Sequence, residues 1–220
     1  MKTLIRNLFI TLAISTTTLT SYASSTDEKI YYKEVEKGDF VVSNKEKTKV
    51  EVIYFYSHNC TACRVFTPAF EQWTQSVNGD SIRVIKIPVT PSPRWIWATV
   101  LQLAIEDLKI DVKSSDITKK LTDIGATISD RDSAIAFLMN ELGVDYLTAE
   151  NSINLERYKT KIERYEALFK EFEAAGTPNV GITTSTSIRY IIGPQLNLNF
   201  YEMLSAINGI TTFYTSKELI

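Results

Sequence analysis

At 220 residues, 44% of them hydrophobic and 23% charged, the chain has an ordinary globular balance. It is long enough for one full domain with an insert, and wholesale disorder and fibrous repeats are excluded. A formal charge of −2 argues against a nucleic-acid partner, which would call for a basic excess, and two Cys with one His leave little for soft-metal chemistry.

The N-terminus reads as a targeting segment. Lys2 and Arg6 form a basic start, Leu8 to Ile14 a short apolar run, and Ser21-Tyr22-Ala23 places small residues at the two positions a signal peptidase reads. The apolar run is too short to span a bilayer. Cleavage after Ala23 is expected, giving an exported, soluble, periplasmic protein with 22 basic against 26 acidic side chains, a net charge of −4. Next, Ile30 to Val35 reads as a short strand. Val50 to Tyr56 (VEVIYFY) is a run of β-branched and aromatic residues, a buried strand by composition. Ser57-His58-Asn59 breaks it. From Val65 on, Phe66, Ala69, Phe70, Trp73 and Val77 follow helical spacing, so Cys60-Thr61-Ala62-Cys63 falls where a strand ends and a helix begins.

That junction gives the two cysteines a chemistry. A domain of this size needs no staple, and a disulfide closing so short a loop would constrain little of the unfolded chain. Backbone N–H groups at a helix start, with the positive end of the helix dipole, stabilise a thiolate. Cys60 is expected at the exposed tip as an accessible nucleophile of low pKa. Cys63, one turn in, is expected to point inward as a sheltered resolving thiol. A CxxC at a strand-to-helix junction of an exported chain therefore reads as a reversible dithiol.

Further along, Ser81 to Pro88 reads as a strand, after which Pro88, Pro91 and Pro93 mark a boundary. Helical periodicity then dominates to about Phe172. Trp95 to Leu108 is apolar nearly all round, a buried helix. Ile117, Leu121 and Ile124 give a helix that Gly125 closes. Ser129 is the expected cap of a helix carrying Ile135, Leu138, Met139 and Leu142, with Gly143 at its end. A short helix follows over Tyr146 to Ser152, then a long one from Leu155 to Phe172. Strands return at Val180 to Thr183 and Ser187 to Ile192, joined as a hairpin. Phe200 to Ile207 reads as the last helix and Thr211 to Ile220 as an unplaced tail. A helical block interrupting an α/β unit accounts for this order with one domain plus an insert.

The mature chain resembles the DsbA family of thioredoxin-fold thiol–disulfide oxidoreductases. The likeness is carried by YFYSHNCTACRVFTPAFEQW from Tyr54 to Trp73, PVTPSPRWIWA from Pro88 to Ala98, and AAGTPNV from Ala174 to Val180. It implies an α/β thioredoxin fold with an inserted all-helical subdomain: signal peptide 1–23, first part of the fold with the CxxC 24–92, helical insertion 93–172, second part with a cis-proline loop 173–210, and tail 211–220. It also implies Cys60 as nucleophile, Cys63 as resolving thiol, and Thr177-Pro178 as the substrate-facing cis-proline loop. Pro68, inside the helix after the cysteines, fits relatives that tolerate a kink there. Reduced exported proteins are the implied substrates, a DsbB-type membrane quinone oxidoreductase the implied partner, and no cofactor, metal or nucleic acid is called for. A monomer is expected.

The departures from the family bear on tuning. Thr61-Ala62 stands where relatives commonly hold Pro-His, which removes an imidazole beside the nucleophile. Tyr54 stands where many carry a buried acid, and Glu51, on the other strand face, is a poor substitute. Both changes imply a tuned-down oxidant. His58 is expected as a packed loop residue with at most a modest electrostatic role on Cys60. Three rival readings draw on the same residues. A Cys–His hydrolase would leave Cys63 and the exported setting without purpose. A Cu(I)-delivery protein would use Cys60, Cys63 and His58, a set that lacks a fourth zinc ligand. A reductase or isomerase would use the same dithiol, but the stretch from Ala23 to Val50 is too short for the added N-terminal domain through which isomerases usually dimerise.

Overall fold

The computed structural model describes residues 29–36, 48–77 and 80–216. The expected signal peptide, 1–23, lies outside the described residues. Five strands, β1 (Lys33–Val35), β2 (Val50–Tyr56), β3 (Ile82–Pro88), β4 (Asn179–Thr184) and β5 (Arg189–Ile192), form one mixed sheet in the order β1-β5-β4-β2-β3. Only β2 and β3 run parallel, with Val50 opposite Ile82 and Tyr56 opposite Pro88; β4 crosses β2 antiparallel, placing Phe55 opposite Asn179. β2 is therefore central and covered on both faces. That is why it reads as an unbroken apolar run and not as an alternation.

The two faces of β2 serve two cores. Val50, Val52, Tyr54 and Tyr56 pack with Phe66 and Phe70 of α1 (Thr61–Ser76) and with Met203 and Ile207 of α7 (Phe200–Ser216). Ile53 and Phe55 face Phe169 of α6 (Leu155–Glu171) and Phe172 just beyond it. Phe172 presses so closely on β4 that a Cβ at Gly181 would lie 2.6 Å from its ring, so only glycine fits there. The Phe55–Phe169 pair meets edge to face with centroids 5.4 Å apart, an arrangement worth about 0.5–1.5 kcal/mol beyond burial.

A third core belongs to the insert, built from α2 (Ile96–Asp107), α3 (Ser114–Asp123), α4 (Arg131–Leu142), α5 (Tyr146–Ser152) and the first turns of α6. The helix α6 belongs to both bodies: Tyr158 and Ile162 join the insert core, while Leu168 and Phe169 lie on the sheet. Among the described residues no helix is long and apolar enough to cross a membrane.

Four sequence expectations need correction. The first strand covers Lys33–Val35 and not Ile30 to Val35; among the described residues it is an edge paired only with short β5, and Ile30 is exposed. Ser187 sits at φ 66° in the hairpin turn, so β5 begins at Arg189. Asp130, not Ser129, caps α4, accepting the Ser133 N–H while the Ser133 hydroxyl accepts the Asp130 N–H; a carboxylate with a reciprocal partner three residues on makes a complete capping box. The expected tail is largely helix: α7 runs to Ser216, with Ile210 and Thr211 buried and the Tyr214 hydroxyl 2.7 Å from that of Tyr190. The helix passes through Gly209, a weak helix former whose unfavourable propensity is outweighed by these contacts. Residues 217–220 lie outside the described residues.

Candidate active site

β2 ends at Tyr56, and the chain turns through Ser57-His58-Asn59, with the Cys60 N–H donating to Ser57 O at 3.1 Å. Cys60 is the N-cap of α1, its backbone extended (φ −82°, ψ 112°). Its Sγ accepts the Cys63 N–H at 3.0 Å, so sulfur performs the task usually given to a Ser, Thr, Asp or Asn oxygen. The cap position places the sulfur at the positive end of the α1 dipole. Cys63, three residues on, is fully buried in the core between sheet and α1.

The two thiols are driven apart. The hydrogen bond from the Cys63 thiol, with smaller help from the Thr177 side chain and the Cys63 and Ala62 N–H groups, outweighs burial and lowers Cys60 to about 6. Burial first, then the hydrogen bond to Cys60 and the nearby Cys60 charge, push the Cys63 thiol far up. At neutral pH the pair is thus a thiolate beside a thiol. The expected exposed tip is corrected: Cys60 is only 4% exposed. What covers it comes from far along the chain, since Thr177 O lies 3.3 Å from its Sγ.

Thr177 and Pro178 are brought to the dithiol, and the peptide between them is cis. Their loop is held by Asn179, a fully buried side chain at the head of β4. Its Nδ2 donates to Gly176 O at 2.8 Å and its Oδ1 accepts from Gln195 Nε2 at 2.7 Å. Of the dipeptide between the cysteines, Thr61 is exposed and Ala62 packs against the sheet core.

His58 does not join the cysteines. It is buried beside Tyr56, with Nε2 2.8 Å from Gln102 Oε1 of α2. The carbonyl oxygen can only accept, so Nε2 carries the proton. Burial, only partly offset by that bond, lowers the imidazole to about 4 and keeps it neutral. Among the described residues no three His, Cys, Asp or Glu side chains gather into a group that could hold a metal, so Cys60, Cys63 and His58 do not form the set a Cu(I) carrier needs. Glu51 is also away from the site, on the α6 face of the sheet, where Oε1 pairs with Arg83 Nη1 at 3.1 Å.

Two anchors escaped the sequence reading. Asn59 Nδ2 donates to Ile128 O at 2.8 Å and Ile128 N–H returns to Asn59 Oδ1 at 2.9 Å, clamping the residue before Cys60 to the α3–α4 loop of the insert. Arg64, in the first turn of α1, donates from Nη2 to Ala126 O (3.2 Å) and from Nε to His58 O (3.3 Å). A polar residue directly before a helix start is the signal that could have flagged Asn59, although its position alone also fits a simple turn.

No family model matches the chain. The crystal structure of Pseudomonas aeruginosa DsbA superposes with a TM-score of 0.70 at 17% identity, over 84% of this chain and 93% of that one. The oxidoreductase DsbA of Xylella fastidiosa gives 0.67 at 16% identity, over 84% and 96%. A thioredoxin-like protein of Synechocystis sp. is 30% identical over 73 residues, 33% of this chain, and the matched stretch spans 62% of that relative. The fold is that of the DsbA oxidoreductases: a thioredoxin fold with a helical insertion.

Proposed function

We propose that the protein is a thiol:disulfide oxidoreductase that exchanges disulfides with exported proteins in the periplasm through Cys60 and Cys63, in the oxidising direction. The observation that carries this is the asymmetry of the pair: Cys60 at the start of α1, its Sγ accepting the Cys63 N–H and its pKa lowered to about 6, and Cys63 buried and kept protonated. A thiolate stabilised in the reduced form makes the disulfide form easier to reduce, which is what an oxidant requires. A substrate thiolate attacks Cys60 Sγ, the Cys60–Cys63 bond breaks, and Cys63 takes up the proton. The substrate's second thiolate then attacks the sulfur joined to Cys60, forming the substrate disulfide and releasing the Cys60 thiolate. Thr177 and Pro178 are the residues proposed to meet the substrate, because the Thr177 carbonyl already touches Cys60. Re-oxidation falls to a DsbB-type membrane quinone oxidoreductase, in keeping with a cleaved signal peptide ending at Ala23.

One observation favours a second reading, reduction. A Cys60 pKa of about 6 lies nearer the value of about 7 for thioredoxin than the value of about 3.5 for DsbA. The reduction potential against glutathione decides between them. A value toward the DsbA end, about −120 mV, supports oxidation, and one at the thioredoxin end, about −270 mV, supports reduction. Metal-free protein that neither oxidises a reduced test protein nor reduces insulin would sink both.

A further inference from the structure

The loop that carries Thr177 is aimed by side chains on its far side. Gly176 sits at φ 113°, a conformation other residues rarely adopt, and nothing lies within 4 Å of where its Cβ would stand. The glycine is therefore required for its backbone, which turns the Gly176 carbonyl onto Asn179 Nδ2 at 2.8 Å. The next carbonyl, that of Thr177, stands 3.3 Å from Cys60 Sγ. A carbonyl only accepts, so the amide of the fully buried Asn179 presents its NH2 to Gly176 and its oxygen to the other side. There Gln195 Nε2 donates to Asn179 Oδ1 at 2.7 Å.

The sheet explains this meeting. Val180 pairs with Ile192, and one further step along that register brings Asn179 to Gly193. A Cβ at Gly193 would collide with Asn179 Oδ1, so this glycine is needed for close approach, its own backbone being extended. Gln195 follows in the tight turn Pro194–Leu196, closed by the Leu196 N–H to Gly193 O at 3.0 Å and the Asn197 N–H to Pro194 O at 2.9 Å. Leu196 packs against the same core as Cys60 and Cys63, which pins the turn to the body that carries the dithiol. Gln195 itself is exposed.

We propose that Gln195, acting through the Asn179 amide, is a positioning residue for the substrate loop, fixing which end of that amide faces Gly176 and so where the Thr177 carbonyl stands over Cys60; this rests on the oxidoreductase reading above. A donor at 195 holds the Asn179 oxygen toward itself and leaves the NH2 on Gly176. An acceptor at 195 faces that same oxygen and repels it. If the amide turns to offer its NH2 to the acceptor, its oxygen meets the Gly176 carbonyl, two acceptors with no proton between them. Either way the bond that anchors Gly176 is weakened, one peptide away from the carbonyl that covers the nucleophile. A cysteine peptide laid along Thr177 then meets a displaced surface, while Cys60 keeps the Cys63 N–H and the helix start that ready its sulfur. Gln195 thus governs how well an extended peptide is held and leaves the reactivity of the sulfur alone.

The test is a set of three substitutions at this exposed position in the full chain: Gln195→Lys, which keeps a donor, Gln195→Met, which has no polar end, and Gln195→Glu, which presents an acceptor. Oxidised protein is mixed with a peptide carrying two cysteines, and single-turnover kinetics give the half-saturating peptide concentration and the limiting rate. Gln195→Glu should raise that concentration about tenfold and Gln195→Met about threefold, with Gln195→Lys within about twofold of wild type and the limiting rates little changed. Dithiothreitol attacks as a thiolate but has no peptide backbone to lay on the loop, so it reads any effect of the added charge; it should open the disulfide of all three at close to the wild-type rate. Because the effect passes through Asn179, adding Gln195→Glu to Asn179→Leu should raise the concentration by less than about twofold over Asn179→Leu alone. Half-saturating concentrations within twofold of wild type for all three Gln195 variants would overturn the proposal. So would a Gln195→Glu effect that persists in full beside Asn179→Leu, or a dithiothreitol rate that falls as far as the peptide's affinity. Wild-type protein that oxidises no peptide dithiol at all would instead refute the oxidoreductase reading itself.

Discussion

Lowering pH should strip stability from the reduced protein more than from the oxidised protein. Cys60 titrates near 6 in the folded dithiol but near its ordinary value of about 8.5 when unfolded. Its stabilisation is therefore fully present above about 8.5 and is lost as pH falls through 6. Each pH unit between those values carries about 1.4 kcal/mol, so reduced protein should gain about 3 kcal/mol from pH 5 to 8.5, of which about 1.4 kcal/mol is present by pH 7. His58 complicates the raw curve: lowered to about 4, it costs stability as pH falls below about 6.5 in both redox states. Cys63, pushed up by burial, acts only above about 8.5, where the unfolded thiol ionises. Subtracting the oxidised curve from the reduced one cancels His58 and isolates Cys60.

The assay is denaturant unfolding of both forms at half-unit steps from pH 5 to 8.5, paired with thiolate absorbance near 240 nm. At pH 7 Cys60 should be about 90% thiolate against about 3% for an ordinary thiol, which the absorbance reads directly. Because the Cys63 thiol is the chief cause of the lowered value, Cys63→Ala should move the titration upward, and Cys63→Ser, which keeps an O–H donor, should move it less. A flat difference curve, or a titration that ignores Cys63→Ala, would refute the reasoning.

Two other substitutions probe the frame of the site. His58→Gln removes the buried titrating group, so the loss of about 3 kcal/mol expected of wild type between pH 6.5 and 4 should largely vanish; urea unfolding of the oxidised forms at several pH values checks it. Asn59→Ala strands the buried N–H and C=O of Ile128 and should cost about 1–3 kcal/mol per unpaired group; the same unfolding measurement, with the glutathione exchange rate beside it, reads both the stability and the looser loop.

What was legible in the sequence follows from what periodicity can report. Val50–Tyr56 and the long α6 were readable because each is an uninterrupted run whose pattern depends only on which faces are covered. The CxxC at a helix start was readable because strand, break and helix follow one another within a few residues. The burial of Cys60 was not, because the carbonyl that covers it belongs to Thr177, 117 positions away, and no local pattern records such a meeting. The place of His58 was partly legible: a packed loop position was expected, but its Gln102 partner lies across the boundary with the insert. The extent of α7 was misread because Gly209 and a run of Thr weaken the local helical signal, while the burial of Ile210 and Thr211 that stabilises it comes from the sheet.

The site is thus assembled by three bodies that contribute separable things to one sulfur atom. The start of α1 supplies the electrostatics: the Cys63 N–H at 3.0 Å and the dipole behind it act on Cys60 whatever lies above. The Thr177–Pro178 loop supplies the cover and is itself tied down by Asn179. The insert supplies position. Asn59 is clamped to Ile128, Arg64 reaches Ala126, and His58 leans on Gln102, so the peptide leading into Cys60 is hydrogen-bonded on its outer side to the helical subdomain and not to the sheet. Asn59 and Arg64 flank the dithiol in sequence at 59 and 64, and both reach the same loop between α3 and α4. That loop therefore fixes the peptide entering Cys60 from the insert side, while Cys60 and Cys63 both pack in the sheet core. The insert thereby gains leverage over the approach to the nucleophile without containing any residue that reacts.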